Sequence, residues 1–140
     1  MSTVFVDTIK NQTGTTSLAA NKLPDMLSGS SKAWCCWNGT GTAAIRDSHN
    51  VSSLTDNGSG DFSQNFTSNY GSANYTISGC MAWNSAISNY VYNLQPSQDS
   101  GITSSSARVY CMNSGVSSGT AYSSKGDYYY SAFHSHGDLA

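Results

Sequence analysis

Two cysteines stand side by side between two tryptophans in Trp34-Cys35-Cys36-Trp37, just ahead of the turn sequence Asn38-Gly39-Thr40-Gly41. Paired thiols chelate metals or cycle through a disulfide, so spacing decides whether either chemistry is open. On an extended strand successive side chains point to opposite faces. Trp34 and Cys36 then share one face and Cys35 and Trp37 the other, and neighbouring thiols in that geometry cannot grip one ion together. Cys80 and Cys111 have no ligand partner nearby in sequence, and none of the four cysteines forms a Cys-x-x-Cys pair. Small buried residues packed beside aromatic rings is the reading that fits, with no cofactor expected.

Two other constellations resemble catalytic sets. Gly115-Val116-Ser117-Ser118-Gly119 matches the Gly-x-Ser-x-Gly nucleophile elbow in letters. The elbow needs a strand before it and a helix after it, and here a Ser/Gly-rich run follows with no helical pattern. Glycan cleavage needs two carboxyl groups about 5 to 9 Å apart, one with a raised pKa. Asp47, Asp56, Asp61, Asp99 and Asp127 stand mostly in turn contexts, where Asp binds local backbone, and nothing selects a pair. A non-enzymatic protein is therefore expected. His134-Ser135-His136 is more pointed, since on a strand both imidazoles share a face. Two histidines fall short of a closed metal site unless symmetry supplies the rest, and two exposed histidines near a chain end fit equally.

Binding falls to the aromatics. Tyrosine presents a flat apolar face with a polar tip at low entropic cost. Trp83, Tyr90, Tyr92, Tyr122 and the Tyr128-Tyr129-Tyr130 run flank the loops, with Tyr128 and Tyr130 as the candidate contacts of the last strand. Alternation would place Tyr128 and Tyr130 on one face and Tyr129 and Phe133 on the other. Half or more of these rings must instead fill the core. Nucleic acid is a poor partner, because six basic residues are scattered and the pI is near 5.7.

The elements that hold these residues follow from composition. Ser, Thr, Asn and Gly number 27, 12, 12 and 13 of the 140 residues, and all eight acidic residues are Asp. Leu, Ile, Val and Phe together number 21, which in a highly charged chain would signal disorder; the net charge here is only −2. The alternative is a β fold whose 9 Tyr, 4 Phe and 3 Trp replace an aliphatic core. No window adds up to a helix. So thin a core is marginal alone, and association with copies of itself is the usual remedy.

Residues 1–31 read as a short strand with Val4, Phe5, Val6 and Ile9, a turn at Asn11 to Thr16, and an extended arm ending in Ser28-Gly29-Ser30-Ser31. Residues 32–140 read as a head of short strands at Ala33 to Asn38, Ala43 to Thr55, Asp61 to Thr67, Asn74 to Trp83, Tyr90 to Leu94, Ser106 to Met112 and Tyr128 to His134. A Ser/Gly-rich loop is expected from Asn113 to Gly126. The clearest hairpin is Val51 to Phe66 around Asp56-Asn57-Gly58-Ser59-Gly60, with Phe62 and Phe66 on one face and Ser63 and Asn65 on the other. Together these predict an antiparallel β-sandwich. The N-terminus MSTVFVDTIK has no basic and apolar leader pattern, and no run is long enough for a spanning helix, so export and membrane insertion are not expected.

The run WCCWNGTGTAAIRDSHNVSSLTDNGSGDFSQNFTSNYGSANYTISG resembles the C-terminal domain of tail-fibre proteins of tailed bacteriophages. A Trp-x-x-aromatic-Asn-Gly-Thr-Gly opening leads to an Ala-Ile-Arg strand, an Asn-Val-Ser-Ser strand, an Asp-Asn-Gly turn and a segment ending in Ala-Asn-Tyr. Ser105-Ser106-Ala107-Arg108-Val109 and Gly137-Asp138-Leu139-Ala140 are similar to the family's last strands and tail, and VFVDTIKNQTGTTSLAANKLPDMLSGSSKAW to its lead-in. The chain departs from that pattern at Gln64, where the family usually has an apolar residue, and at Cys35, Cys36, His134 and His136.

The resemblance implies a homotrimeric fibre in the virion tail, made in the host cytoplasm. Its arm, with Val4, Phe5, Val6 and Ile9, would dock on a phage tail, baseplate or adaptor protein, and its heads would touch a host surface glycan or protein. Three copies around an axis would also bring six imidazoles of His134 and His136 together, a set suited to an octahedral transition metal. A structural virion component without receptor recognition is the alternative expectation, with a glycan hydrolase third.

Overall fold

The structure, a computed structural model, describes residues 8–10, 17–19, 30–82, 90–97, 101–117 and 119–140. The chain divides into two compact units, Met1–Ser30 and Ser31–Ala140. In the first, β1 (Thr8–Lys10) and β2 (Ser17–Ala19) pair antiparallel with Ile9 opposite Leu18. Val4, Phe5 and Val6 lie outside the described residues.

The second unit is all β, with no helix among the described residues. Its strands are β3 (Ala33–Asn38), β4 (Ala44–His49), β5 (Val51–Gly58), β6 (Asp61–Phe66), β7 (Thr76–Ala82), β8 (Tyr90–Pro96), β9 (Ser106–Ser117), β10 (Thr120–Lys125) and β11 (Tyr130–His136). They form two antiparallel sheets. One has the order β4-β3-β11-β7. The other is organised around the long β9, which carries β8 on one edge and, on the other, β6 along its first half and β10 along its second, with β5 beyond β6.

Alternating polarity along the strands sets which face each sheet buries. Ala33, Cys35 and Trp37 of β3, Phe62, Gln64 and Phe66 of β6, Ala107, Val109 and Cys111 of β9, and Ser131, Phe133 and Ser135 of β11 all turn inward. The sheets meet through rings: Trp37 packs edge-on against Phe62 at 5.9 Å between centroids, and Phe66 stacks on Phe133 at 6.4 Å. Tyr70 and Tyr75 stack at 4.2 Å and both lean on Phe66. Aromatic rings therefore supply the core that the few aliphatics cannot. The buried Tyr70 hydroxyl is tied off against Ser135 Oγ at 2.6 Å.

The expected hairpin from Val51 to Phe66 is present, with those two residues opposite each other. Gly60 closes it in the left-handed region, φ 64°. A Cβ there would lie 2.4 Å from the Gly126 nitrogen and 2.8 Å from the Cys111 carbonyl oxygen, so only glycine fits. Two expectations need correction. The single strand foreseen from Ala43 to Thr55 is two strands in different sheets, separated at Asn50, whose φ of 53° turns the chain from one sheet to the other. The loop foreseen from Asn113 to Gly126 is mostly ladder, with Met112 opposite Lys125 and Ser117 opposite Thr120.

Candidate binding face

The outer face of the β4-β3-β11-β7 sheet gathers most of the side chains with chemistry. Pairing in register places His49, Trp34, His134 and Ser78 in one row, and Asp47, Cys36, Ala132 and Cys80 in the next. All three histidines of the chain thus belong to this sheet. The His134 and His136 rings lie 5.5 Å apart between centroids, side by side as strand alternation requires, and His134 Nε2 meets Ser78 Oγ at 2.6 Å. Among the described residues no group of three or more His, Cys or Asp is placed to hold a metal ion.

At the end of the same sheet Tyr129 and Tyr130 are 46% and 42% exposed. Arg46 fixes the first: its guanidinium lies 4.4 Å from the Tyr129 ring centroid, and Nη2 donates to the Tyr129 carbonyl at 2.9 Å. A hydrogen bond with Cys36 pushes the Tyr130 hydroxyl above its ordinary pKa. Two exposed rings beside a fixed cation form an amphipathic shelf of the kind that stacks on planar or sugar-like surfaces.

Tyr128 requires correction. It precedes β11, is only 2% exposed, and packs against Tyr92 at 5.2 Å. Burial pushes its hydroxyl up to about 12. Tyr128 and Tyr130 therefore do not share a face, because strand alternation begins only at Tyr130. Tyr92 and Tyr122 are half-buried. Tyr90 opens β8, and Trp83 lies outside the described residues. Tyr129 and Arg46 were missed. The tyrosine run pointed to the neighbourhood, but only the bulge where the β4–β3 register shifts, between Asp47 and Ile45, brings Arg46 there.

The cysteines separate as the strand argument requires. Cys35 and Cys111 are buried and Cys80 is exposed, with all four free. Burial pushes the Cys35 and Cys111 thiols up to about 12. Ser117 ends β9, with β10 starting at Thr120, so the helix that a nucleophile elbow needs is replaced by a strand.

The other sheet carries an ionic clamp. Asp61, itself buried, receives Arg108 Nε on Oδ1 and Nη2 on Oδ2, both at 2.8 Å, and Lys125 Nζ on Oδ2 at 3.3 Å. Lys125 also lies over the Tyr110 ring at 3.5 Å. The Arg108 hydrogen bonds hold the Asp61 carboxyl below the usual carboxylate range. A carboxylate so engaged is a structural tie across β6, β9 and β10 rather than a free acid or base. No family model, curated protein or solved structure matches the chain.

Proposed function

We propose that this protein is a phage tail-fibre adhesin, a homotrimer that docks on the virion by its N-terminal arm and binds a host-surface glycan or protein with its β-rich head. The observation that carries the reading is the shelf of Tyr129, Tyr130 and Arg46, two exposed rings and a held cation on an otherwise weakly charged surface. Such a shelf suits weak contacts with a repeated surface. Tethering three of them together raises avidity by about a hundredfold or more without any new contact. The sequence resemblance and the strand-rich head, which has no helix among the described residues, support the same reading, while the buried Tyr128 belongs to the scaffold that holds the shelf.

Adsorption blocking tests it. Purified protein should compete with phage for susceptible cells, and replacing Tyr129 and Tyr130 by Ala should abolish the competition while leaving the far-ultraviolet β spectrum unchanged. Full competition by the double variant removes the shelf from the binding site. Failure of the unaltered protein to compete favours a structural virion component instead.

A further inference from the structure

The tetrapeptide pattern Asn-Gly-Thr/Ser-Gly occurs twice, as Asn38-Gly39-Thr40-Gly41 and Asn57-Gly58-Ser59-Gly60. An Asn-Gly pair lets the glycine nitrogen reach the preceding side-chain amide, because glycine neither screens its own nitrogen nor resists the rotation required. The two pairs are alike in sequence and differ in their surroundings.

Asn38 is locked. Its Nδ2 donates to the Thr40 carbonyl at 2.9 Å, and its Oδ1 accepts from the Thr40 backbone N–H at 3.2 Å and hydroxyl at 2.8 Å. The buried Gly39 donates its N–H to the Tyr128 carbonyl at 2.8 Å. A Cβ on Gly39 would stand 3.0 Å from the Phe62 ring and 3.2 Å from the Tyr128 carbonyl oxygen, so this peptide has no room to turn.

Asn57 is open. The pairing of β5 with β6 shifts here, setting Asp56 opposite Phe62 and Gly58 opposite Asp61, so that Asn57 is the extra residue of a bulge. It is exposed, and so is Gly58, whose φ is 126° and whose Cβ position has nothing within 4 Å. The Gly58 N–H is held by the exposed Asp56 carboxylate at 2.9 Å, and Asn57 Nδ2 donates to Ser63 Oγ at 2.9 Å and Asp61 Oδ1 at 3.4 Å. A surface side chain swings away from that nitrogen far more readily than the core backbone swings away from Gly39.

We propose that Asn57 is a site of spontaneous modification, converted through a succinimide to aspartate or isoaspartate in the folded protein while Asn38 stays intact. The Gly58 nitrogen gives its proton to solvent base and bonds to Asn57 Cγ. Nδ2 takes up a proton and leaves as ammonia, closing the five-membered ring. Water then opens either ring carbonyl, and no oxidant or reductant is involved. The product carboxylate lies beside Asp61, where it competes for Arg108 and Lys125 and takes the net charge one unit below −2. The isoaspartate form also reroutes the backbone of β5 through the side chain, at the point where β5 turns into β6.

Ageing the full chain in mildly alkaline buffer, then mapping peptides by mass spectrometry and labelling with isoaspartyl methyltransferase, tests this directly. Conversion at Asn57 should outrun that at Asn38 by about tenfold or more, the ratio that a barrier difference of about 1.4 kcal/mol carries. In urea the two sites should convert at comparable rates. The Asn57→Gln variant, whose longer side chain disfavours the ring, should lose the methyltransferase signal. Equal rates in the folded chain, conversion of Asn38 first, or the same preference for Asn57 in urea would each overturn the proposal. So would a folded chain that converts at neither site while the urea sample converts at both.

Discussion

At the scale of single residues, burial decides what each chemically able group does. Four thiols of one type divide by environment alone. Cys80 is exposed and Cys36 half-buried, whereas Cys35 and Cys111 lie in the core with their thiols pushed up to about 12. Titration of the native protein with a thiol reagent should therefore label Cys80 first and Cys36 more slowly. Cys35 and Cys111 should react only on unfolding, and labelling of all four at one rate would contradict the buried pair. Gln64 is the opposite case, a polar group where a hydrophobe belongs. It is fully buried between Phe62 and Phe66, and neither its Nε2 nor its Oε1 has a hydrogen-bond partner among the described residues. Gln64→Met keeps the volume and removes two unpaired polar atoms, so a gain of about 1 kcal/mol is expected, read as a higher urea midpoint at unchanged m. The phage-fibre resemblance already marked Gln64 as a departure toward polarity; its complete burial emerged only with the fold.

At the scale of elements, the strands were legible where polarity alternates and illegible where the chain changes sheet. Ala33–Asn38 and the Val51 to Phe66 hairpin follow from period-two patterning and an Asn-Gly turn. The break at Asn50 left no such mark, since Asn accepts φ 53° while looking ordinary in a strand. Its side chain secures the corner, with Nδ2 donating to the Ser68 carbonyl at 3.0 Å and Oδ1 accepting from the Ser68 N–H at 2.7 Å. Asn50→Ala should cost about 1–2 kcal/mol through backbone strain and two lost bonds, and Asn50→Gly less because the strain term vanishes. Equal losses in denaturant titrations would remove strain from the account. The β9–β10 hairpin was hidden for another reason: Ser and Gly dominate it, and its strand state comes from pairing with β8 and with itself. Asp61 binds these elements, and its pH dependence follows in sign. A carboxyl held below its usual range in the fold stabilises fully above the unfolded value of about 3.9. That stabilisation disappears as pH falls through the lower folded value. Asp61→Asn should therefore flatten the acid limb of stability against pH and cost about 1–2 kcal/mol at neutrality, discounted because Arg108 and Lys125 remain partly solvated.

For the whole molecule, the scarcity of Leu, Ile and Val sets the terms. Thirteen buried apolar and aromatic side chains, from Ala33 to Phe133, hold the described core, and a core of that size leaves small margins. Self-association is the expected supplement, and light scattering of the purified protein should give three times the 14.8 kDa chain mass. A stable single protomer at micromolar concentration would remove the trimer from the proposal. In a trimer the melting temperature should also rise with protein concentration, because subunits that associate only when folded pull the equilibrium toward the fold.

The division between sequence and tertiary structure follows from the range of the forces involved. Alternation, turn residues and the absence of helix formers act within a few residues, and by themselves they determined an all-β head, the face on which each β3 cysteine lies, and the hairpin at Asn57-Gly58. Which strands become neighbours depends on contacts between residues far apart in the chain, which no local pattern records. Only the tertiary structure therefore decided that Arg46 meets Tyr129 and that Tyr128 falls into the core one step before Tyr130 stays out. It likewise decided that one Asn-Gly pair is clamped against Phe62 while its twin lies exposed in a bulge.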